Sequence, residues 1–257
     1  MSLLARDITK RFGCPEAGSL TLFDNFSLSF ESEKISVILG PSGCGKTTLL
    51  NLLAGLISPD RGTLLVNGKP AAQARVSYLF QQPRLLPWLT VEKNLDFVLS
   101  PDIPAGERKA LIREHLRQVS LEGSLHKYPS ELSGGMAQRA AMARAFLFES
   151  EALLMDEPFQ GLDPPLKFSL ISSFREVRAR RPRTTLFVTH DIQEALLLGD
   201  KIFVFSRPPA RVAASLVNPV PPQERLSGHE EFSRLEKELF QALKEGHEAA
   251  GFFTPVL

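Results

Sequence analysis

Apolar positions along this chain follow two rhythms. Short apolar runs closed by polar residues recur at 34–39, 152–155, 185–188 and 201–205, the pattern of strands buried on both faces of a parallel sheet. The run 34–39 stops at Gly40, and the stretch 47–54 has helical composition up to Gly55, so the chain there reads strand, tight loop, helix. Segments 27–30 and 62–68 read as further strands, with Asn67-Gly68 a hairpin signal, which predicts a small antiparallel β layer in the opening third. From Pro83 to Phe148 the pattern is helical with breaks, including 107–118 and the Ala-rich 137–148, and predicts an inserted helical lobe. Beyond Ser206 the prolines at 208, 209, 219, 221 and 222 predict a stiff connector. A helix follows over 230–245, with Phe232, Leu235, Leu239 and Leu243 on one face. There is no internal repeat and no low-complexity tract.

Composition narrows the class. With 43% hydrophobic and 23% charged residues in 257, the chain has the balance of a soluble globular protein. No apolar run approaches the roughly 18–20 residues of a membrane-spanning helix. Arg6 and Asp7 come too early for a signal peptide, and two cysteines suit a reducing compartment, so a cytoplasmic protein is expected. Lys and Arg number 30 against 29 Asp and Glu, which leaves no global field for nucleic acid. Any anion must be met locally.

Such a place exists. Gly40-Pro41-Ser42-Gly43-Cys44-Gly45-Lys46-Thr47, followed by Thr48, fits the phosphate-loop pattern, in which glycines let backbone N–H groups turn toward one anion and the next helix adds its positive end. Lys46 would reach the β- and γ-phosphates and Thr47 a Mg²⁺ ion. Cys44 is either a thiolate favoured by Lys46 and protected from alkylation by nucleotide, or a buried inert thiol. Cys14 is expected to react independently of nucleotide. The strand 152–155 delivers Asp156 and Glu157, 109 and 110 positions after Thr47. Asp156 suits Mg²⁺, and Glu157 suits polarising an attacking water. In Leu132-Ser133-Gly134-Gly135-Met136-Ala137-Gln138-Arg139 the serine can cap a helix while paired glycines allow close approach, which makes a second anion site.

This last segment resembles the signature motif of ATP-binding-cassette (ABC) ATPases, and three more matches fall in that family's order. Phe80-Gln81 resembles the Q-loop. Gly161-Leu162-Asp163 resembles the D-loop, with Gln160-Gly161 where the family usually has Ser-Ala. Thr189-His190-Asp191 resembles the segment of the switch histidine. The remaining histidines, His115, His126, His229 and His247, are expected to be solvated. The resemblance, over about residues 3–206, implies an α/β P-loop NTPase fold. Its parts are a mixed, mainly parallel sheet, an N-terminal antiparallel β layer, an inserted helical lobe and a C-terminal helical extension. The division it implies is a nucleotide-binding core of 1–82 and 149–206, a signature subdomain of 83–148, and an extension of 207–257. It further implies a head-to-tail homodimer in which Ser133, Gly134, Gly135, Met136 and Gln138 of one copy meet ATP held by the other, with Asp163 at the dimer contact. Thr47, Gln81 and Asp156 would hold Mg²⁺, Glu157 and His190 would act at the γ-phosphate, and Phe12 would stack on adenine unless it is a core residue.

Met136 and the segment Leu85-Leu86-Pro87-Trp88 look like the nitrate, sulfonate and taurine class of importer ATPases. Leu85, Leu86 and Trp88 lie where that family receives a transmembrane permease subunit; ordinary core packing is the alternative. A solute-binding protein, periplasmic or extracellular, would act indirectly, and the ATPase would sit peripherally on the cytoplasmic face of the inner membrane. A cassette acting on nucleic acid or ribosomes would need a tandem copy, a coiled coil or a zinc insertion that this sequence lacks. A regulatory or export-type cassette of a division or lipoprotein-release complex remains the alternative, although such chains usually end soon after the last strand, whereas this one continues for 51 residues beyond Ser206.

Overall fold

The computed structural model describes residues 3–14, 18–225 and 230–248. In chain order the first elements are β1 (Leu3–Cys14), β2 (Gly18–Phe30), β3 (Ile35–Leu39), α1 (Lys46–Leu53), β4 (Arg61–Val66), β5 (Lys69–Pro70) and β6 (Val76–Leu79). Next come α2 (Val91–Asp96), α3 (Ala105–Gln118), α4 (Gly134–Leu147), β7 (Ala152–Asp156), α5 (Pro164–Arg180) and β8 (Thr184–Val188). The last of the described elements are α6 (Ile192–Leu198), β9 (Lys201–Phe205), β10 (Val212–Val217) and α7 (Glu230–Glu248). Two compact units result, one of Met1–Ala74 with Arg183–Leu257 and one of Arg75–Pro182.

In the first unit an antiparallel sheet runs in the order β2-β1-β4-β5. Its last hairpin turns on Asn67 and Gly68, both at positive φ (49° and 80°), as a two-residue loop matched to strand twist requires. The second sheet of this unit places β3 between β8 and β9, parallel to both, with all five β3 residues buried. Aromatic rings join the layers: Phe26 packs on Phe23 and edge-on against Phe205, and Phe30 packs edge-on against Phe203. Phe203 and Phe205 stand at alternate positions of β9, whereas Phe23, Phe26 and Phe30 are three and four apart along β2, whose pairing with β1 has register shifts.

One segment departs from the pattern-based expectation. The stretch read as a Pro-rich connector contains β10, which pairs antiparallel with β9 from Val212↔Phe205 to Val217↔Lys201. Its Val-Ala-Ala-Ser-Leu-Val composition carries only a faint two-residue period, because half-burial alternates with exposure and no position is fully enclosed. The sequence reading also passes over α5 and α6. Beyond them α7 lays Phe232, Leu235 and Leu239 inward, with Leu243 half-buried, against α6, β9 and β10.

In the second unit β6 and β7 run parallel, with Leu79 opposite Met155, and α2 and α3 pack on α4. Alanines at 140, 141, 143 and 145 are buried, which lets α4 approach β6 closely enough for the Ser77 hydroxyl to donate to the Ala145 carbonyl at 2.7 Å. The α/β fold with an antiparallel layer, a mainly parallel sheet and a C-terminal helix is as the sequence implies.

Gly62 in β4 provides a check on the antiparallel layer. It has φ 92°, and a Cβ there would lie 2.5 Å from the carbonyl oxygens of Arg6 and Asp7. Gly62→Ala therefore combines left-handed strain of about 1–2 kcal/mol with a backbone clash, whereas Gly68→Ala meets open space and carries the strain alone. Urea unfolding is expected to rank Gly62→Ala well below Gly68→Ala; equal midpoints would show that β1 and β4 do not approach as described.

Candidate functional site

In the first unit the loop 40–45 leaves β3 and enters α1. Gly45 precedes the helix at φ 106°, and a Cβ there would strike the Phe23 ring at 2.9 Å, so the loop conformation is set by packing of the antiparallel layer beneath it. The helix start has no side-chain cap and no acidic residue in its first turn. Its amide groups and dipole therefore leave an unneutralised positive end. Lys46 adds to it: its side chain is buried, and Nζ donates to the carbonyls of Gly40 at 2.7 Å and Pro41 at 2.9 Å. Ser42, Gly43 and Thr47 are exposed and Thr48 is half-buried, so the loop presents a concentrated positive centre with a hydroxyl beside it.

Of the two readings of Cys44, the structure favours the buried thiol. The thiol is 0% exposed, and burial pushes its pKa up despite the opposing pull of Lys46. Both burial and the direction of this shift favour the neutral thiol. The side chain of Cys14 lies outside the described residues.

His190 follows β8, whose Val188 is opposite Ile38 of β3, so the histidine emerges at the same strand ends as the loop. Its side chain is exposed, and Asp191 caps α6 by accepting from the amides of Gln193 and Glu194 at 2.8 and 3.3 Å. Phe12 on β1 is 43% exposed with Lys10 Nζ 5.5 Å from its ring centre, which removes the core alternative. Of the other histidines, His126 is exposed and His115 is half-buried with Nδ1 2.9 Å from the Leu111 carbonyl, while His229 and the side chain of His247 lie outside the described residues.

In the second unit the ends of β6 and β7 bring Gln81, Asp156 and Glu157 to one edge. Asp156 is 3% exposed. Glu157 adopts φ 46°, a left-handed backbone that disfavours a non-glycine residue by about 1 kcal/mol or more. Gln81 Nε2 donates to Gln160 Oε1 at 2.7 Å, so the residue standing where the family usually has Ser is a partner of Gln81. The sequence marks Gln160 as a departure without revealing that contact. Ser133 caps α4, its hydroxyl accepting from the Met136 amide at 3.3 Å, and Ser133 and Gly134 are exposed. Gln138 is buried one turn further on, and its Nε2 donates to the carbonyl of Pro158 at 3.3 Å, tying the signature helix to the residue after Glu157. Asp163 caps α5 through the Leu166 amide.

The segment after Gln81 is held from inside. Asn94 on α2 is fully buried; its Oδ1 accepts from the Leu86 amide at 2.8 Å, and its Nδ2 donates to the carbonyls of Leu86, Leu89 and Thr90. Arg144 of α4 donates to the Arg84 carbonyl at 2.9 Å, and the Arg84 guanidinium lies over the Phe80 ring. On this frame Leu85 and Leu86 are half-buried and Trp88 is 70% exposed, which excludes the core reading for the tryptophan. Sequence reasoning passes over Asn94 and Arg144. For Asn94 the available signal is a polar residue between the apolar Val91 and Leu95 of α2.

The family model described as ABC transporter matches residues 23–160, more than half of the chain. The chain belongs to that family. It is 33% identical to the aliphatic sulfonates import ATP-binding protein SsuB of Bacillus cereus over 96% of this chain and 97% of that protein. It is 40% identical over 76% of its length to SsuB 2 of Burkholderia cenocepacia, of which 72% is covered. An uncharacterized ABC transporter ATP-binding protein of Methanocaldococcus jannaschii, MJ0412, is 36% identical over 95% of this chain and 92% of its own. Among solved structures, the dimeric post-hydrolysis state of the ATP-binding cassette MJ0796 bound to ADP and Pi superposes with a TM-score of 0.76 at 26% identity, covering 85% of this chain and all of that one. The ABC cassette described here is thus an ATPase. Among the described residues no helix is long and apolar enough to cross a membrane.

For the ABC cassette, the buried state of Cys44 predicts that iodoacetamide at pH 7.5 leaves it unmodified with or without ATP and labels it fully after denaturation. Mass spectrometry finding rapid, ATP-protected labelling of the native protein would restore the thiolate.

Proposed function

We propose that this chain is the ATP-hydrolysing subunit of an ABC importer for a small solute of the aliphatic sulfonate type, working as a head-to-tail homodimer beneath transmembrane permease subunits at the cytoplasmic face of the membrane. A solute-binding protein would deliver the cargo to the permease, and no nucleic acid is involved. The observation that carries the reading is the length of the similarity to the sulfonate import proteins, which runs through the extension after β9 as well as the cassette.

Lys46 exchanges the carbonyls of Gly40 and Pro41 for phosphate oxygens, an exchange favoured because both partners are then charged. The amides of 43–48 and the open start of α1 share the remaining phosphate charge. Thr47 and Asp156, with Gln81, are hard oxygen donors of the kind Mg²⁺ takes. Among the described residues no group of three His, Cys, Asp or Glu forms a metal cage, which suits an ion that enters with the phosphates. Once bound, Mg²⁺ would neutralise charge on the transferring phosphate. Glu157 polarises the attacking water, His190 contacts the γ-phosphate, and Phe12 stacks on the adenine. Ser133, Gly134, Gly135, Met136 and Gln138 serve the ATP of the opposite copy, and Asp163 serves the dimer contact. Leu85, Leu86 and Trp88 receive the permease.

Glu157→Gln is expected to lower hydrolysis by ~10² or more while ATP binding persists and the nucleotide-bound dimer accumulates on gel filtration. Wild-type turnover in that variant would move the role to another carboxylate. Trp88→Ala is expected to leave the melting temperature and basal ATPase activity unchanged, since the ring is 70% exposed, but to weaken co-purification with the permease. An interface anchor of this kind commonly contributes ~2 kcal/mol or more, so intact assembly would place docking elsewhere. Deleting the gene is expected to abolish growth on an alkanesulfonate as sole sulfur source and to spare growth on sulfate. Unimpaired growth on the sulfonate would reject that solute class.

A further inference from the structure

We propose that Thr189 and Glu194 are positioning residues that hold the backbone of His190 for catalysis; the inference rests on the reading of His190 as the residue that contacts the γ-phosphate. Thr189 is 1% exposed at the end of β8, and its hydroxyl makes two bonds at once. It donates to Glu194 Oε2 at 2.7 Å and accepts from the Asp191 amide at 3.0 Å. The Thr189 amide in turn donates to the Ile38 carbonyl of β3 at 3.3 Å. The residues on both sides of His190 are therefore anchored, one to the sheet and one to a buried hydroxyl, while the imidazole itself projects outward.

Glu194 is the unexpected member. A carboxylate at 4% exposure is costly unless its oxygens are well bonded, and the start of α6 could dispense with it as a cap. Asp191 already meets the first free amides, those of Gln193 and Glu194. The bond from Thr189 to Glu194 adds little to the helix. Its effect is to orient the hydroxyl so that a lone pair faces the Asp191 amide, which removes freedom from the His190 peptide. A residue that must meet one phosphate oxygen gains from such support, because misplacement by about 1 Å costs on the order of a hundredfold in rate.

The test uses the full-length protein and measures kcat, ATP dissociation constant and melting temperature. Thr189→Val keeps the shape and removes the hydroxyl, Thr189→Ser restores it, and both are made with and without His190→Ala. A buried bond to a charged group corresponds to about a tenfold or greater effect on rate. Thr189→Val is expected to lower kcat by about that factor with ATP affinity changed less than about threefold, and Thr189→Ser to recover most of it. In the His190→Ala background the second change is expected to alter kcat by less than about twofold, since nothing remains to be positioned. A full second loss in that background overturns the inference while leaving the histidine reading intact. Full turnover of His190→Ala alone overturns both. If Thr189→Val does not fold, Glu194→Asp gives the same comparison, because it keeps the charge and withdraws the carboxylate from the hydroxyl; a kcat equal to wild type in that variant likewise overturns the inference.

Discussion

The ammonium of Lys46, buried against its own loop's carbonyls at the start of a helix that nothing caps, is the constraint on which the first unit is built. Positive charge at a helix start is tolerable only if the backbone is held rigidly and an anion can be admitted. The rigidity comes from two directions. Below, β3 is enclosed by β8 and β9, so its end cannot shift without breaking two ladders. Alongside, Phe23 fills the space that a side chain at 45 would take, and Phe26 and Phe205 extend that contact into β9. The antiparallel layer is thus more than a cover. Its aromatic face sets the shape of the loop 40–45.

In the second unit one helix, α4, has a comparable role. Ser133 caps its start, Gln138 bonds to Pro158 beside Glu157, Arg144 holds the carbonyl of Arg84, and the Ala145 carbonyl receives Ser77. Signature, carboxylate edge and the segment bearing Trp88 are therefore fastened to the same rod. Burial lowers the pKa of Arg144 without discharging it, since a guanidinium stays protonated throughout the working range.

The extension after β9 is integrated with the first unit. β10 adds to β9, and Arg225 reaches back to the carbonyls of Leu198 and Val220 and to Asp200. α7 then packs on α6, where Gln193 donates to Glu236. The neighbour of Gln193 is Glu194, so the helix that follows His190 is bonded to the β8 end on one side and to the extension on the other.

Much of this was legible in the residues alone, because the features concerned are local. A glycine-rich loop between a buried strand and a helix, a strand ending in Asp156-Glu157, a serine before paired glycines and an Asn67-Gly68 turn each follow from a few adjacent residues, and the structure forms them where the pattern puts them. β10 was not legible, since its pairing with β9 rather than its own composition makes it a strand. Solvent access was also beyond the sequence. The residues left Cys44 open between a reactive thiolate and a buried thiol and Trp88 open between docking and core packing, and only the structure shows Cys44 enclosed and Trp88 exposed. The bonds from Gln81 to Gln160, from Asn94 to the 86–90 carbonyls and from Thr189 to Glu194 likewise depend on where chain folding brings each partner. Composition and spacing determine which groups the chain possesses and the local turns that present them; burial and partnership are decided by packing, because both depend on neighbours that lie far away or unmarked in sequence.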